Sequence, residues 1–300
     1  MSLIYAHKTY FGIRVLSDTK PSVHPDDLDR LKNRFTVEEY NNFMKYGVVK
    51  TVIYKPNITI SSAGMLEHFN KLLEYLETNN IIEVEDILKA ATDIHNRYNK
   101  DTDFVITTER DIYEIKNGKY EKVEFSWIGD IDAFSKFQEQ KLQYVVDDRR
   151  YSADFPKEDI ETLKEQDRID DAFQKVIDNK NIDSVGGFIT ICAISNRDNS
   201  EYEFLSKIGI FSGYDSKQIL NQGDNIIFFH KVYDGGFQYQ VLDSKSNFLI
   251  YLGQIKLGIV YKNGYSDNEY KNLSLPFLVH CSFDEFIDKY SDVKQSIQIN

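Results

Sequence analysis

The sequence predicts an α+β protein in which two mainly antiparallel sheets are packed between pairs of helices. Segments with the apolar pattern of strands occur in runs. Segments with apolar residues at helical spacing occur in pairs between those runs, which argues against the single helix crossovers of a doubly wound parallel sheet. Aromatic residues make up 14% of the 300 residues, enough bulky apolar material for a large core.

The N-terminal third is predicted to fold as two hairpins followed by a helix pair. Alternating and β-branched residues predict the strands, and Pro56 fixes φ in the second turn. Apolar residues at three- and four-residue spacing predict the helices, which Asn79-Asn80 separates. The predicted strands cover residues 3–7, 12–16, 48–54 and 58–64, and the helices 65–76 and 84–94.

Further strands and a second helix pair follow. Asn117-Gly118 between two apolar runs is typical of a hairpin turn. The chain beyond the second helix pair is mostly strand in character. The predicted strands are 104–108, 112–115 and 123–128, then 188–194, 203–208, 225–232, 238–242, 248–252 and 256–261, and the helices cover 131–145 and 156–177.

The chain is predicted to be a single domain over residues 1–300. The polar link at 147–155 is the best candidate boundary, but it lacks the Gly/Ser/Pro composition of a linker. Strands on both sides of it can therefore complete the same sheets.

Charge and hydropathy exclude two classes of partner. The formal net charge of -12 repels phosphate backbones, so we expect no nucleic-acid partner. No stretch approaches the roughly 18 apolar residues of a bilayer span, so we expect no membrane partner. The N-terminus lacks the features of a secretory signal, and Cys192 and Cys281 are too few for a disulfide framework, which indicates a cytoplasmic location.

No cofactor or metal is predicted. The six histidines show no zinc-ligand spacing. Gly186-Gly187 and Gly235-Gly236 lack the context of phosphate-binding loops and are interpreted as turns.

Several short motifs occur in an order that resembles a known family. Ser2 follows Met1, and Asp18 lies sixteen positions after Ser2. Residues 47–52 read Gly-Val-Val-Lys-Thr-Val, with Lys50 in a Gly-x-x-Lys-x-Val context, and residues 60–64 read Ile-Ser-Ser-Ala-Gly before the first helix pair. An apolar strand ends in Ile-Gly at residues 128–129 before the third helix. Over residues 1–145, this order resembles the proteasome-like N-terminal nucleophile hydrolases, closest to HslV-type bacterial peptidases and their uncharacterised bacterial relatives.

The resemblance implies a four-layer αββα sandwich with an inserted segment at about 19–46 and an extended C-terminal half. It implies that removal of Met1 exposes Ser2 as the nucleophile, with Asp18 and Lys50 as its catalytic partners. The implied oxyanion and supporting residues are Ala63, Gly64, Gly129 and Asp130. It also implies a homo-oligomer, with a ring as one form, and a peptide or small amide as the substrate.

The chemistry of these residue types is consistent with that role. A serine hydroxyl needs a base near pH 7, and a free α-amine with a pKa of about 8 can act as that base. A nearby Lys50 ammonium would disfavour protonation of the amine, while Asp18 would hold the lysine charged and in place. Backbone N–H groups near Ala63-Gly64 would stabilise the oxyanion, because glycine permits close approach.

Two departures from the family pattern keep alternatives open. Asp130 stands where the peptidases have a small polar residue, and the inserted segment separates Asp18 from Lys50 more widely. The main alternative is a noncatalytic proteasome-like scaffold or binding subunit with a dead site. A further alternative is a small-amide hydrolase with a closed pocket.

Overall fold

The computed structural model describes residues 2–21, 49–146, 156–187, 189–196 and 200–205, together with Val37, the later strands and a few single residues. In its first half the elements are β1 (Leu3–Thr9), β2 (Gly12–Asp18), β3 (Thr51–Lys55), β4 (Ile58–Gly64), α1 (Leu66–Thr78), α2 (Val84–Arg97), β5 (Thr102–Thr107), β6 (Ile112–Lys116), β7 (Lys119–Val123) and β8 (Phe125–Gly129). The second half contains α3 (Ile131–Gln143), α4 (Lys157–Ile177), β9 (Ile189–Ser195), β10 (Glu203–Leu205), β11 (Tyr214–Gln222), β12 (Asn225–Val232), β13 (Gln238–Leu242), β14 (Asn247–Leu252), β15 (Leu257–Lys262) and β16 (Phe277–His280).

The strands form three antiparallel sheets. The first sheet has the order β10-β9-β2-β1-β8, so its centre comes from the N-terminal hairpin and its edges from distant parts of the chain. The second sheet has the order β3-β4-β5-β6-β7. The third sheet runs β11 to β16 in chain order and is built entirely from residues after 213.

Buried apolar side chains pack the first two sheets against each other and against the helices. One cluster joins the sheets and includes Ile4, Val15 and Val105. A second joins the second sheet to α1 and α2, with Phe69 and Phe104 at its centre. A third joins the first sheet to α3 and α4 through Phe137 and other apolar residues. The layers therefore run helix pair, second sheet, first sheet, helix pair.

The helices form where the apolar spacing predicts them. In α1, Phe69, Leu72 and Leu76 lie on one buried face at three- and four-residue spacing. The helix ends at Asn79, and Asn80 then adopts a positive φ of 48°, which an asparagine tolerates better than most residues.

The α+β class and the antiparallel sheets predicted from the sequence are confirmed. The strand predicted at 123–128 is confirmed over residues 125–128, which belong to β8, but its start is wrong, because Val123 ends β7 and the chain bends at Glu124 from the second sheet into the first. The pattern of strands at 225–261 is confirmed, but the sequence did not predict that these strands form a separate sheet. Most of the predicted insert at 19–46 lies outside the described residues. Among the described helices, none is both long and apolar enough to cross a bilayer.

Candidate functional site

Strand ends from both packed sheets meet at one end of the layered body. In the first sheet, Leu3 at the start of β1 lies opposite Gly129 at the end of β8. Ile4 lies opposite Ser17, so the start of β1 also lies beside the end of β2 at Asp18. These registers bring strand ends that are distant in sequence into one small region.

Asp18 and Lys50 form a buried ion pair in this region. The Lys50 Nζ lies 2.8 Å from each of the two Asp18 carboxylate oxygens. The side chain of Asp18 is 0% exposed and that of Lys50 is 4% exposed. The family resemblance implied that these two residues share a site, and the structure joins them directly.

The two oxygens of the Asp18 carboxylate also accept hydrogen bonds from backbone N–H groups. The Leu3 N–H donates to Asp18 Oδ1 at 2.9 Å, and the Gly186 N–H donates to Oδ2 at 3.3 Å. Each oxygen therefore accepts one backbone and one ammonium hydrogen bond. Because Leu3 directly follows Ser2, one carboxylate oxygen connects the Lys50 ammonium to the backbone next to Ser2.

Burial sets the electrostatics of Lys50. Removal from water lowers the pKa of the Lys50 ammonium, while the Asp18 carboxylate acts in the opposite direction. The charge of Lys20 lowers the Lys50 pKa further. Lys50 is therefore a lysine whose proton is held less tightly than that of an exposed lysine, with one carboxylate to retain it.

Ser2 is held by the turn between β8 and α3. Its backbone oxygen accepts a 2.7 Å hydrogen bond from the Asp130 N–H, and the residue is 2% exposed. Gly129 has a φ of +112°, and a Cβ added there would lie 2.0 Å from the Ser2 carbonyl oxygen. Only glycine therefore fits beside Ser2 at this position.

Ala63 and Gly64 close the site on the side of the second sheet. A Cβ at Gly129 would also lie 3.4 Å from the Ala63 Cβ, so Ser2 and Ala63 border the same space beside Gly129. Gly64 has a φ of +136°, and a Cβ there would lie 2.2 Å from the Asp101 carbonyl oxygen. The Ser62 N–H, one residue before Ala63, donates to the Lys50 carbonyl oxygen at 2.9 Å.

Asp130 caps a helix with its side chain. Its Oδ1 accepts hydrogen bonds from the N–H groups of Asp132 at 2.8 Å and Ala133 at 2.9 Å, at the N-terminus of α3. Its backbone N–H holds Ser2, as described above. The side chain of Asp130 thus fixes the helix start, and its main chain supports the candidate nucleophile.

The sequence-predicted residues are therefore brought together in a closed series of contacts. Ser2 bonds to the Gly129-Asp130 turn through the Asp130 N–H, Ala63 lies beside the place that a Cβ at Gly129 would take, and the strand that carries Ala63 and Gly64 bonds to Lys50 through Ser62. Lys50 bonds to Asp18, which bonds back to Leu3. Gly47 and Val48 of the Lys50 motif, and Met1, lie outside the described residues.

Gly186 is a site residue that the sequence interpretation missed. Besides its bond to Asp18, its carbonyl oxygen accepts from the N–H groups of Thr19 at 3.2 Å and Lys20 at 3.1 Å. Gly186-Gly187 was interpreted as a turn, and the local sequence has no signal for contact with a residue 168 positions earlier.

The described part of the chain holds no group of three or more His, Cys, Asp or Glu side chains that could bind a metal. Compared with known proteins, the chain matches no family model and none of the curated proteins. Inference about function therefore depends on the geometry of the site itself.

The arrangement offers two elements of acyl-transfer chemistry. It places the backbone that follows Ser2 on the same carboxylate as a buried cation, and it places two glycines with positive φ at neighbouring strand ends. A cation and backbone N–H groups are the kinds of group that stabilise negative charge at a hydroxyl oxygen and at a carbonyl oxygen.

Proposed function

We propose that this protein is an N-terminal nucleophile amide hydrolase, a proteasome-like peptidase of the threonine/serine type that uses Ser2 after removal of Met1. We further propose that its helix-sheet-sheet-helix layers are the αββα sandwich of that family. The substrate would be a peptide or a small amide, and the protein would act as a homo-oligomer. The wider family assignment rests on the order of motifs in residues 1–145.

One observation carries the proposal. The Lys50–Asp18 pair is buried, and its carboxylate accepts a hydrogen bond from the backbone N–H that directly follows Ser2. A buried ion pair is costly to desolvate and is a weak source of stability, so its position beside a candidate nucleophile favours a catalytic use.

The proposed reaction has two steps. The Ser2 hydroxyl oxygen attacks the amide carbon while its proton passes to the free α-amine of Ser2 and then to the leaving nitrogen. The C–N bond breaks, the amine leaves, and an ester to Ser2 remains. Water then attacks the ester, with the Ser2 α-amine again acting as the base. This step releases a carboxylic acid and restores the Ser2 hydroxyl. Lys50 disfavours protonation of the α-amine and stabilises the developing oxyanion at the hydroxyl.

A second candidate is a noncatalytic proteasome-like scaffold. Ser2 is 2% exposed, so a substrate reaches its hydroxyl only if covering atoms move or are removed. In a noncatalytic scaffold, the buried ion pair would serve only to fix the strand ends. The two candidates differ in whether the Ser2 α-amine is free, because a blocked amine cannot act as the base.

Hydrolysis by defined variants tests the proposal. Purified protein is first measured by intact mass to establish whether Met1 is absent, and is then incubated with a mixture of fluorogenic peptide amides. We expect turnover in protein that starts at Ser2, loss of that turnover in Ser2→Ala, and retention in Ser126→Ala. Ser126 is a matched control because it is a buried serine, 1% exposed, in the adjacent strand β8. Turnover that is equal in Ser2→Ala and the parent protein would overturn the proposal.

A further inference from the structure

A chain of buried hydroxyl groups crosses from the first sheet to the second beside the Asp18–Lys50 pair. Ser17 Oγ lies 2.6 Å from Thr190 Oγ1 within the first sheet and 3.1 Å from Thr51 Oγ1 in the second. Thr51 Oγ1 in turn lies 2.9 Å from Ser61 Oγ. All of these side chains are buried, with at most 1% of each residue exposed.

The hydroxyl groups of this chain can all donate in the same direction along it. The Thr190 hydroxyl donates to the Ser17 carbonyl oxygen at 3.3 Å, so Thr190 is free to accept from Ser17. Ser17 then accepts from Thr51, and Thr51 accepts from Ser61. Every hydroxyl in the chain donates once, which removes the cost of burying an unsatisfied donor.

The position of the chain distinguishes it from ordinary core packing. The two sheets otherwise meet through apolar side chains such as Ile4, Val15 and Val105, and at the Ser126 hydroxyl, which donates to Glu114 Oε2 at 2.5 Å. The hydroxyl chain crosses at the residues that directly follow Lys50 and directly precede Asp18. Any shift between the sheets at this point would also shift the Lys50 ammonium relative to the Asp18 carboxylate.

We infer that the hydrogen bond between Ser17 and Thr51, supported by Thr190 and Ser61, sets the spacing of the two sheets at the site and so holds Lys50 in position. Ser17 and Thr51 are positioning residues, because they act on Lys50 and Asp18 through the backbone. The catalytic consequence of this inference rests on the proposed function, whereas its effect on Lys50 does not.

A second pair of buried threonines in the protein provides a control for the test. Thr59 Oγ1 lies 2.6 Å from Thr107 Oγ1, and both residues are 0% exposed. This pair joins two strands of the same sheet, β4 and β5, and does not cross to the other sheet. Thr51→Val and Thr59→Val each remove a buried hydroxyl, which contacts two other hydroxyls at Thr51 and one at Thr59, and only Thr51→Val removes a bond between the sheets.

The direct readout is the titration of Lys50. The Lys50 Nζ and Cε resonances are followed by NMR against pH in the parent protein, Thr51→Val, Thr51→Ser and Thr59→Val. We expect the pKa of Lys50 to rise by at least about half a pH unit in Thr51→Val, because a looser junction admits water to an ammonium whose pKa is lowered chiefly by burial. Thr51→Ser keeps the hydroxyl and should restore the parent value, and Thr59→Val should leave it unchanged.

Ser17→Ala provides a second variant from the opposite sheet, in case Thr51→Val does not fold. It removes the same bond between the sheets by deleting the Ser17 hydroxyl, and it should move the Lys50 pKa in the same direction. Equal Lys50 pKa values in the folded crossing variant and in Thr59→Val would overturn the inference.

Kinetics then separate this inference from the proposed function. If the parent hydrolyses amides, the crossing variants should lower kcat by at least about tenfold with little change in KM, while Thr59→Val keeps both. If the parent shows no hydrolysis, the proposed function fails and the Lys50 titration still decides the positioning role. If kcat falls equally in Thr51→Val and Thr59→Val, the positioning role is wrong and the proposed function stands.

Discussion

At the scale of single residues, Lys50 and Asp18 carry the most unusual chemistry of the described structure. A buried pair contributes little net stability when intact, but removal of one partner leaves an uncompensated buried charge. The Asp18 carboxylate would retain only its bonds to the Leu3 and Gly186 N–H groups.

Lys50→Met is therefore expected to lower the free energy of unfolding by about 3–5 kcal/mol, measured by urea denaturation near neutral pH. The double variant Lys50→Met/Asp18→Asn should recover part of that loss, because the neutral amide oxygen still accepts from backbone. Lys89→Met is the control, since Lys89 pairs with Asp86 at the surface and such pairs contribute at most about 1 kcal/mol. A loss in Lys50→Met no larger than in Lys89→Met would contradict this reading of the pair.

His7 is a second residue whose charge state is set by burial. Removal from water, together with the smaller effects of the Arg14 and Lys141 charges, lowers the pKa of His7 to about 3. Neither ring nitrogen has a hydrogen-bond partner among the described residues. The ring stacks on Tyr5 with a centroid distance of 5.1 Å, so the imidazole is packed as a neutral aromatic group.

This pKa predicts an acid-dependent loss of stability. Between about pH 6.5 and pH 3, His7 is protonated in the unfolded chain but neutral in the folded chain. The free energy of unfolding therefore falls as the pH decreases through this window, and His7 has no such effect above pH 6.5. The difference in unfolding free energy between the parent and His7→Phe should change by about 1.4 kcal/mol per pH unit in this window. Urea unfolding at several pH values measures that difference, and parallel curves for the two proteins would exclude the role assigned to His7.

At the scale of elements, the turn from β8 into α3 links a helix cap to the candidate nucleophile. The Asp130 side chain satisfies two N–H groups at the start of α3, and its own N–H binds the Ser2 carbonyl oxygen. The cap and the support of Ser2 therefore depend on the same residue.

Asp130→Ala should cost about 1 kcal/mol of folding free energy, because the cap is lost, and Asp130→Ser should retain most of it. Asp132 lies in the first turn of the same helix without capping it, so Asp132→Ala should cost less than about 0.5 kcal/mol. Thermal or urea unfolding measures each value. An equal cost in Asp130→Ala and Asp132→Ala would show that the cap does not stabilise the helix start.

At the scale of the whole molecule, the sequence was most informative where elements are local. Apolar spacing predicted both helix pairs and the N-terminal hairpins, because those patterns reflect contacts between near neighbours. The approach of Asp18 to Lys50 was predicted only through the resemblance, since no local pattern relates two residues 32 positions apart.

The features that the sequence missed are long-range. The alternating pattern at 123–128 gave no sign that the chain changes sheets at Glu124. The strands after residue 213 pair with each other and not with the first two sheets, and strand patterns do not encode that choice. The contacts of Gly186 with Asp18, and of Ser17 with Thr51, likewise depend on tertiary packing.

The central claim for the whole molecule is that Ser2 is an activated nucleophile beside the Lys50–Asp18 pair. The most direct measurement is acylation of protein shown by intact mass to start at Ser2, using a β-lactone probe followed by peptide mapping in the mass spectrometer. We expect one ester, located on Ser2, that forms much more slowly in Lys50→Met and is absent in Ser2→Ala. Folded protein with a free Ser2 amine that gains no ester at Ser2 would contradict the account.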